Sequence, residues 1–316
     1  MLLFFLVHFA FAETYFEKAN QLYDKGNYKE AVRYYRAAIQ EGRYEPFAWF
    51  NLGNSLVQLQ KLELALVAYK RTVELMPQFT KAWVLMGDIY YLNDAKADAI
   101  VAYNRAMELG EDSEHIHYAL AESFFKIGDY TLSQKHFERV LHFNPDRISA
   151  WYGLADIYER LEDYEMAIQT LYKAIDQSLI SDPELYFTIA SYYQNIDSLS
   201  KAIVAMEDGL LIDPQNTPAR RYLAQMYIKA NSPWMAIFSL EEGLRYNKEK
   251  SSILVDLGQI YFTQKRYPEA FESFLAAWNL GNPQGRIGAE NVGHAWYNMG
   301  ETKEAEVFYK RIRDKQ

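Results

Sequence analysis

Residues 46–77 read PFAWFNLGNSLVQLQKLELALVAYKRTVELMP, and the order of large and small side chains in this stretch recurs along the whole chain. The tetrapeptide YKEA at residues 28–31 aligns with YTLS at 130–133, YEMA at 164–167 and YPEA at 267–270. Units begin near residues 12, 46, 80, 114, 148, 183, 217, 251 and 286. A fixed period of about 34 residues indicates stacked copies of one supersecondary unit.

Each unit carries two small residues at fixed positions, one in each of two predicted helices. In the first helix they are Ala19, Gly53, Gly87, Ala121, Ala155, Ala190, Ala224, Gly258 and Gly293. In the second helix they are Ala31, Ala65, Ala99, Ser133, Ala167, Ala202, Ala236, Ala270 and Ala305. Two antiparallel helices approach closely only where neither has a bulky side chain at the crossing, so the pattern predicts helical hairpins that cross at these positions.

These residues resemble the tetratricopeptide repeat through the motif W-x-x-L-G-x-x-L at residues 49–56, followed by Ala65, Tyr69 and Pro77. The same spacing begins again at Trp83 and at Trp151. The resemblance covers residues 13–316 in about nine repeats. It implies an all-α fold, a solenoid in which antiparallel helix pairs stack into a right-handed superhelix.

Composition argues against several classes of partner and site. The chain has 33 Lys+Arg and 42 Asp+Glu, a formal charge of −9, so its field repels the phosphate backbone of nucleic acids. Cysteine is absent from the 316 residues, which removes disulfides, thiolate metal sites and cysteine nucleophiles. Histidine, methionine and the carboxylates are the side chains left for metal binding.

Motifs of catalysis are missing from the sequence. It has no H-E-x-x-H pair, no phosphate-binding G-x-x-x-x-G-K-[ST] and no G-x-S-x-G. His115 and His117 are two residues apart on a predicted helix, so they point to different faces. Gly281 and Gly285 flank Asn282 and are interpreted as parts of a turn. We therefore expect a protein that is not an enzyme, with no catalytic residues, metal or cofactor.

The first twelve residues, MLLFFLVHFAFA, form an apolar stretch that ends in an A-x-A cleavage pattern. The stretch is shorter than the roughly 20 apolar residues that span a bilayer. Residues 1–12 are therefore predicted to be a signal peptide, and the mature protein to be periplasmic or secreted without a membrane span. The alternative is a cytoplasmic protein in which these residues pack on the first repeat.

Two ladders of residues on the first helices form the predicted binding groove. The resemblance implies that these helices line a concave face, where an extended or helical partner is held. One ladder is polar and the other, four residues earlier, is mainly aromatic. The groove residues are Phe16, Asn20, Phe50, Asn54, Asp88, Tyr91, Tyr118, Glu122, Tyr152, Asp156 and Phe187. Aromatic area and carboxylates suit a peptide with apolar anchors and Lys or Arg.

The predicted groove changes in the last three units, where the residues at the positions of the aromatic ladder are Arg221, Val255 and Glu290.

Several alternatives to this interpretation remain open. Some aromatic rings of the ladder would instead pack between neighbouring helices. Neighbouring carboxylates of the polar ladder would lie about 10 Å apart, which fits neither mechanism of glycoside hydrolysis well. The same aromatic and polar surface also suits a glycan such as peptidoglycan, and the last repeat, residues 286–316, could join copies of the chain into an oligomer. Phe16 and Phe50 stand where a carboxylate clamp for chaperone tails would need cations, so that ligand is disfavoured.

Overall fold

The computed structural model describes residues 14–42, 45–177, 181–246 and 249–314, and every regular element within them is an α-helix. The first nine helices are α1 (Tyr15–Asp24), α2 (Tyr28–Glu41), α3 (Glu45–Gln58), α4 (Leu62–Leu75), α5 (Thr80–Leu92), α6 (Lys96–Glu108), α7 (Glu114–Ile127), α8 (Tyr130–Phe143) and α9 (Ile148–Arg160). The others are α10 (Tyr164–Gln177), α11 (Pro183–Asn195), α12 (Leu199–Ile212), α13 (Thr217–Lys229), α14 (Pro233–Tyr246), α15 (Lys250–Thr263), α16 (Tyr267–Asn279), α17 (Pro283–Asn298) and α18 (Thr302–Arg313).

Within each unit, consecutive described helices pack in pairs, four in each unit, and the predicted repeat positions agree with the helix boundaries. The odd-numbered helices begin at residues 15, 45, 80, 114, 148, 183, 217, 250 and 283, each within three residues of a predicted repeat start. The chain divides into two compact units, Met1–Ile157 and Tyr158–Gln316. Within each unit, short turns join the two helices of a pair, which places them side by side and antiparallel. The all-α prediction is confirmed.

The small residues lie at the helix crossings, as predicted. All eighteen are buried, and the reason is visible at Gly53, where a methyl group would lie within 2.9 Å of three atoms of the Tyr69 ring. Gly87 faces the Tyr103 ring in the same way one repeat later, and Gly258 faces the Phe274 ring. The small residue of the first helix therefore makes room for a large ring sixteen residues further on, in the second helix of its own pair.

Each pair turns through one residue in the left-handed backbone conformation. These residues are Gly26, Gln60, Asp94, Gly128, Glu162, Asp197, Asn231, Lys265 and Gly300. In eight of these turns the next N–H donates back to a carbonyl five residues earlier, for example Lys61 N to Leu56 O at 2.9 Å and Ala95 N to Tyr90 O at 2.9 Å. This hydrogen bond closes the first helix as a Schellman motif. Six of the nine left-handed residues are not glycine, so the positions of glycine in the sequence did not reveal them.

One interpretation of the sequence is wrong. Gly281 lies in a turn with a φ of 86°, as expected, but Gly285 is part of α17 and is buried. A Cβ atom at Gly285 would overlap the backbone of α16, with Trp278 Cα at 3.0 Å. The glycine is needed for close contact between two helix backbones rather than for a turn.

The predicted signal peptide, residues 1–12, lies outside the described residues and stays a prediction. Of the helices that the structure describes, none is both long enough and apolar enough to cross a membrane.

Candidate functional site

All eleven predicted groove residues lie on first helices of the repeats, from α1 to α11. Ten are half-buried and Asp156 is exposed. Ten belong to the unit Met1–Ile157, whereas Phe187 belongs to the unit Tyr158–Gln316, where its ring packs over Gly209. Tyr152 and Asp156 lie on α9, at the end of the first unit.

The polar ladder has an internal role that sequence reasoning missed. The hydroxyl of Tyr35 donates to Asn20 Oδ1 at 2.7 Å, and that of Tyr69 donates to Asn54 Oδ1 at 2.8 Å. Tyr103 donates to Asp88 Oδ1 at 2.7 Å in the same way. Each tyrosine is almost fully buried, so its hydroxyl needs an acceptor within the protein. The constant spacing of fifteen residues between each ladder residue and its tyrosine is the feature of the sequence that could have predicted these hydrogen bonds.

The aromatic ladder is partly occupied by packing, which was one of the open alternatives. Phe16 lies 6.1 Å from the ring of Tyr35, and Phe50 lies 4.7 Å from the ring of Phe79. Tyr118 meets the ring of Phe137 edge-on at 6.0 Å. These rings therefore stabilise their own repeats and expose part of their surface on the first-helix face.

Asp88 joins two neighbouring repeats through His115. Their side chains meet at 2.7 Å between Asp88 Oδ1 and His115 Nε2, and the imidazole lies on the next first helix, α7. The hydrogen bond to the carboxylate is the main reason that the pKa of His115 is raised above its usual value. A larger share of His115 is then protonated near neutral pH, so the charge of Asp88 is partly balanced. Residue spacing did not reveal this contact.

Replacing Asp88 by asparagine is expected to lower the pKa of His115, because the negative charge that stabilises the imidazolium is lost. Titration of the His115 ring protons by NMR measures this directly. In the Glu122→Gln control the His115–Asp88 contact is retained, so its titration should match that of the wild type. An unchanged His115 pKa in Asp88→Asn would show that the carboxylate does not control this group.

Tyr91, Tyr118 and Glu122 form the part of the predicted groove in which aromatic and acidic groups come together. Burial raises the pKa of Tyr91, and the charge of Glu122 adds to the effect. Lys96 Nζ lies 4.0 Å from the centre of the Tyr91 ring, and the Arg147 guanidinium lies 4.7 Å from that of Tyr118. Both rings thus attract cations of the chain itself. No cation within the described residues forms an ion pair with Glu122.

The first helices α13 and α15, in the last three repeats, are joined by an ion pair. Nε and Nη2 of Arg221 both donate to the carboxylate of Asp256, and this ion pair joins α13 to α15. Beside it lies a cleft of about 440 Å³ lined in part by Gln225, Gln259 and Ile260. Arg221, Val255 and Glu290 stand here at the positions of the aromatic ladder, and Gln225 and Gln259 stand at positions of the polar ladder.

A buried histidine pair in the fourth repeat also escaped sequence reasoning. His117 Nδ1 lies 2.8 Å from His136 Nδ1, and His117 Nε2 lies 2.7 Å from Asp112 Oδ1. The ring of His136 stacks on Phe124 at 5.5 Å. His117 occupies the repeat position of Trp83 and Trp151 and makes a comparable contact to the preceding loop. Among the described residues, no group of three or more histidines and carboxylates has an arrangement that could hold a metal ion.

Comparison with known families identifies the repeat. The family model for the tetratricopeptide repeat matches residues 16–78, 50–114, 118–183 and 236–285, and a second model of the same repeat matches 183–216. Anaphase-promoting complex subunit 3 of Schizosaccharomyces pombe is 22% identical over 239 residues, 75% of this chain and 36% of that protein. TPR repeat-containing protein YpiA of Bacillus subtilis is 22% identical over 227 residues, 72% of this chain and 50% of that protein. The chain spans half or less of these relatives.

Solved structures show the same fold. The C-terminal part of a TPR repeat-containing protein from Cytophaga hutchinsonii aligns with a TM-score of 0.59 and 16% identity, over 76% of this chain and 99% of that one. The structure of Naa15/Naa10 bound to HypK-THB aligns with a TM-score of 0.55 and 18% identity, over 90% of this chain and 46% of that one. At this level of identity the likeness shows the architecture alone.

Proposed function

Because the chain belongs to the tetratricopeptide repeat family, we propose that it binds a segment of another polypeptide on the first helices of its third and fourth repeats. Proteins of this family generally mediate protein–protein interactions. One relative is named as a subunit of a larger complex, which supports a role in assembly for this chain as well. The proposed partner segment combines an apolar anchor with Lys or Arg.

The cluster of Tyr91, Tyr118 and Glu122 is the observation that carries this proposal. Half-buried aromatic rings offer a large contact area without a large loss of side-chain entropy on binding. Lys96 and Arg147 already lie over two of these rings, which agrees with the attraction of aromatic faces for cationic groups. Glu122 lies close enough to influence Tyr91 and forms no ion pair within the described chain. A partner's Lys or Arg would supply the missing positive charge.

Loss of this cluster is expected to reduce partner recovery at least about tenfold, since truncation of one hot-spot aromatic residue removes roughly 2 kcal/mol of binding. The measurement is affinity purification from the native cells, comparing wild type with the double variant Tyr118→Ala/Glu122→Gln by quantitative mass spectrometry. Circular dichroism of both proteins verifies that the helices are retained.

A matched control is available in the last repeat. Tyr297 and Glu301 are exposed, have the same residue types and the same four-residue spacing, and lie outside the proposed site. The variant Tyr297→Ala/Glu301→Gln should recover partners like the wild type. Equal recovery by all three proteins would reject the first-helix cluster as the binding site.

A further inference from the structure

The unit Tyr158–Gln316 contains a second cleft, which we call the outer cleft, with a volume of about 370 Å³. Residues of α12, α13 and α14 line it, among them Leu211, Arg220, Phe238 and Glu242. The side chains come largely from two second helices, so the cleft is not part of the first-helix cluster of Tyr91, Tyr118 and Glu122. Three features of the cleft indicate which ligand it binds: the residue that replaces a tryptophan of the repeat, the exposed apolar side chains and the negative charge.

The cleft lies where a tryptophan of the repeat is replaced. In two earlier repeats the indole N–H ties the helix to the preceding loop: Trp83 Nε1 donates to Pro77 O at 2.8 Å, and Trp151 Nε1 donates to Pro145 O at 2.9 Å. Arg220 stands at the same repeat position, and its Nη2 donates to Pro214 O at 3.1 Å. The arginine therefore retains the hydrogen bond to the preceding loop but lacks the bulk of an indole ring.

The Arg220 side chain packs against α14, where its Nη1 donates to Ser239 O at 3.2 Å. A Cβ atom at Gly243 would lie 2.5 Å from Arg220 Cδ, which shows how closely the two are packed. Arg220 is only 5% exposed, yet its Nε has no hydrogen-bond partner within the described residues, and neither has the hydroxyl of Ser239. Buried polar groups normally have partners, so Arg220 and Ser239 keep unused hydrogen-bonding capacity among the residues that line the cleft.

The wall of the cleft is apolar and faces solvent. Leu211 is 81% exposed and Phe238 is 56% exposed, and they lie on neighbouring second helices. In all of the remaining second helices the residue equivalent to Phe238 is a valine or is polar, for example Lys135 and Glu272. An aromatic ring on the surface next to an exposed leucine is typical of an interaction site.

The charge of the cleft selects its occupant. Three carboxylates, Glu207, Asp208 and Glu242, line it together with the single cation Arg220. Glu207 accepts the hydroxyl of Tyr227, and Glu242 Oε2 lies 3.9 Å from Arg220 Nη1. The surplus of negative charge repels acidic peptides, phosphates and anionic lipid, and it attracts Lys and Arg.

We propose that the outer cleft binds a peptide segment of a partner protein in which one apolar anchor residue is flanked by Lys or Arg. The anchor packs against Leu211 and Phe238, and the basic residues face Asp208 and Glu242. The site is separate from the first-helix cluster, so the two can be tested independently.

A random library of displayed 12-residue peptides provides the probe. Peptides are selected on the full chain and depleted on the variant Phe238→Ser, and the enriched sequences are synthesised for fluorescence anisotropy. We expect sequences with an aromatic or branched apolar residue and more Lys and Arg than Asp and Glu. Their affinity should fall at least about tenfold in Phe238→Ser and severalfold in Asp208→Asn/Glu242→Gln, and it should weaken with added salt.

The control is Val101→Ser, which changes an exposed residue at the same repeat position in the other unit. It should bind the selected peptides like the wild type. Because Phe238 is exposed, its replacement should leave the thermal melting curve unchanged, which separates lost binding from lost folding. The proposal is overturned if no peptide depends on Phe238, if the selected peptides are acidic, or if Val101→Ser weakens binding equally.

Discussion

Gly285→Ala is expected to destabilise the protein by about 2 to 3 kcal/mol, the upper part of the range of about 1 to 3 kcal/mol for an extra methyl group in a tightly packed core. The new Cβ atom would overlap the carbonyl oxygen of Phe274 and the amide nitrogen of Trp278. Both atoms belong to the backbone of α16, so relief requires the two helices to move apart. The better intrinsic helix propensity of alanine, worth up to about 1 kcal/mol, is too small to compensate.

Urea denaturation followed by circular dichroism measures this loss, with Gln284→Ala as the matched control. Gln284 is the preceding residue and is exposed, so its replacement should change the free energy of unfolding by no more than about 0.5 kcal/mol. Gly53 is a useful contrast. It faces the ring of Tyr69, and the equivalent residues of the first repeat, Ala19 and Tyr35, are both buried in one core cluster, so a shift of the ring can accommodate alanine at that position. Equal stability of Gly285→Ala and wild type would refute the backbone contact.

Acidification is expected to weaken the fourth repeat through His136. Burial lowers the pKa of His136 from 6.5 to about 4, and the neighbouring His117 contributes in the same direction. The positive charge of Lys135 opposes its protonation too. Because the unfolded chain binds this proton near pH 6.5 and the folded chain only near pH 4, the free energy of unfolding falls as the pH drops through that window. The two values correspond to a loss of about 3 kcal/mol.

The variant His136→Gln separates this effect from other titrating groups. Glutamine can still donate to His117 Nδ1, but it does not titrate. Urea denaturation between pH 7 and pH 4 should show a dependence that is flatter than that of the wild type by up to about 3 kcal/mol. His142→Gln removes an exposed histidine close by and should retain the wild-type dependence. If the His136→Gln and wild-type curves run parallel, His136 is not the group that titrates.

The features that the sequence predicted correctly are those that repeat. Gly53 and Tyr69 lie sixteen residues apart within one hairpin, and the same pair of sizes returns at Gly87 and Tyr103. Such a contact depends only on the local crossing of two consecutive helices. Its spacing is therefore constant from unit to unit, and nine copies make the pattern visible above the variation of single residues.

The candidate site was predicted less completely. Asp88 and Tyr118 lie on first helices, as predicted, but the groups that contact them were not foreseen. Asp88 accepts from Tyr103 in its own repeat and meets His115 of the next, while Arg147 covers Tyr118. These contacts depend on side-chain directions and on the distance between neighbouring pairs, which residue spacing along the chain does not specify.

The sequence by itself determined the helical hairpin, its period and the residues at each crossing, because close packing of two consecutive helices allows only small side chains there. The tertiary structure alone decided the exceptions to the repeat. Arg220 stands in place of tryptophan beside the outer cleft, and His117 and His136 pair in the core. Gly285 allows the backbone of α16 to approach α17 closely. Each of these depends on the particular neighbours of one repeat, so the average pattern of nine repeats contains no record of it.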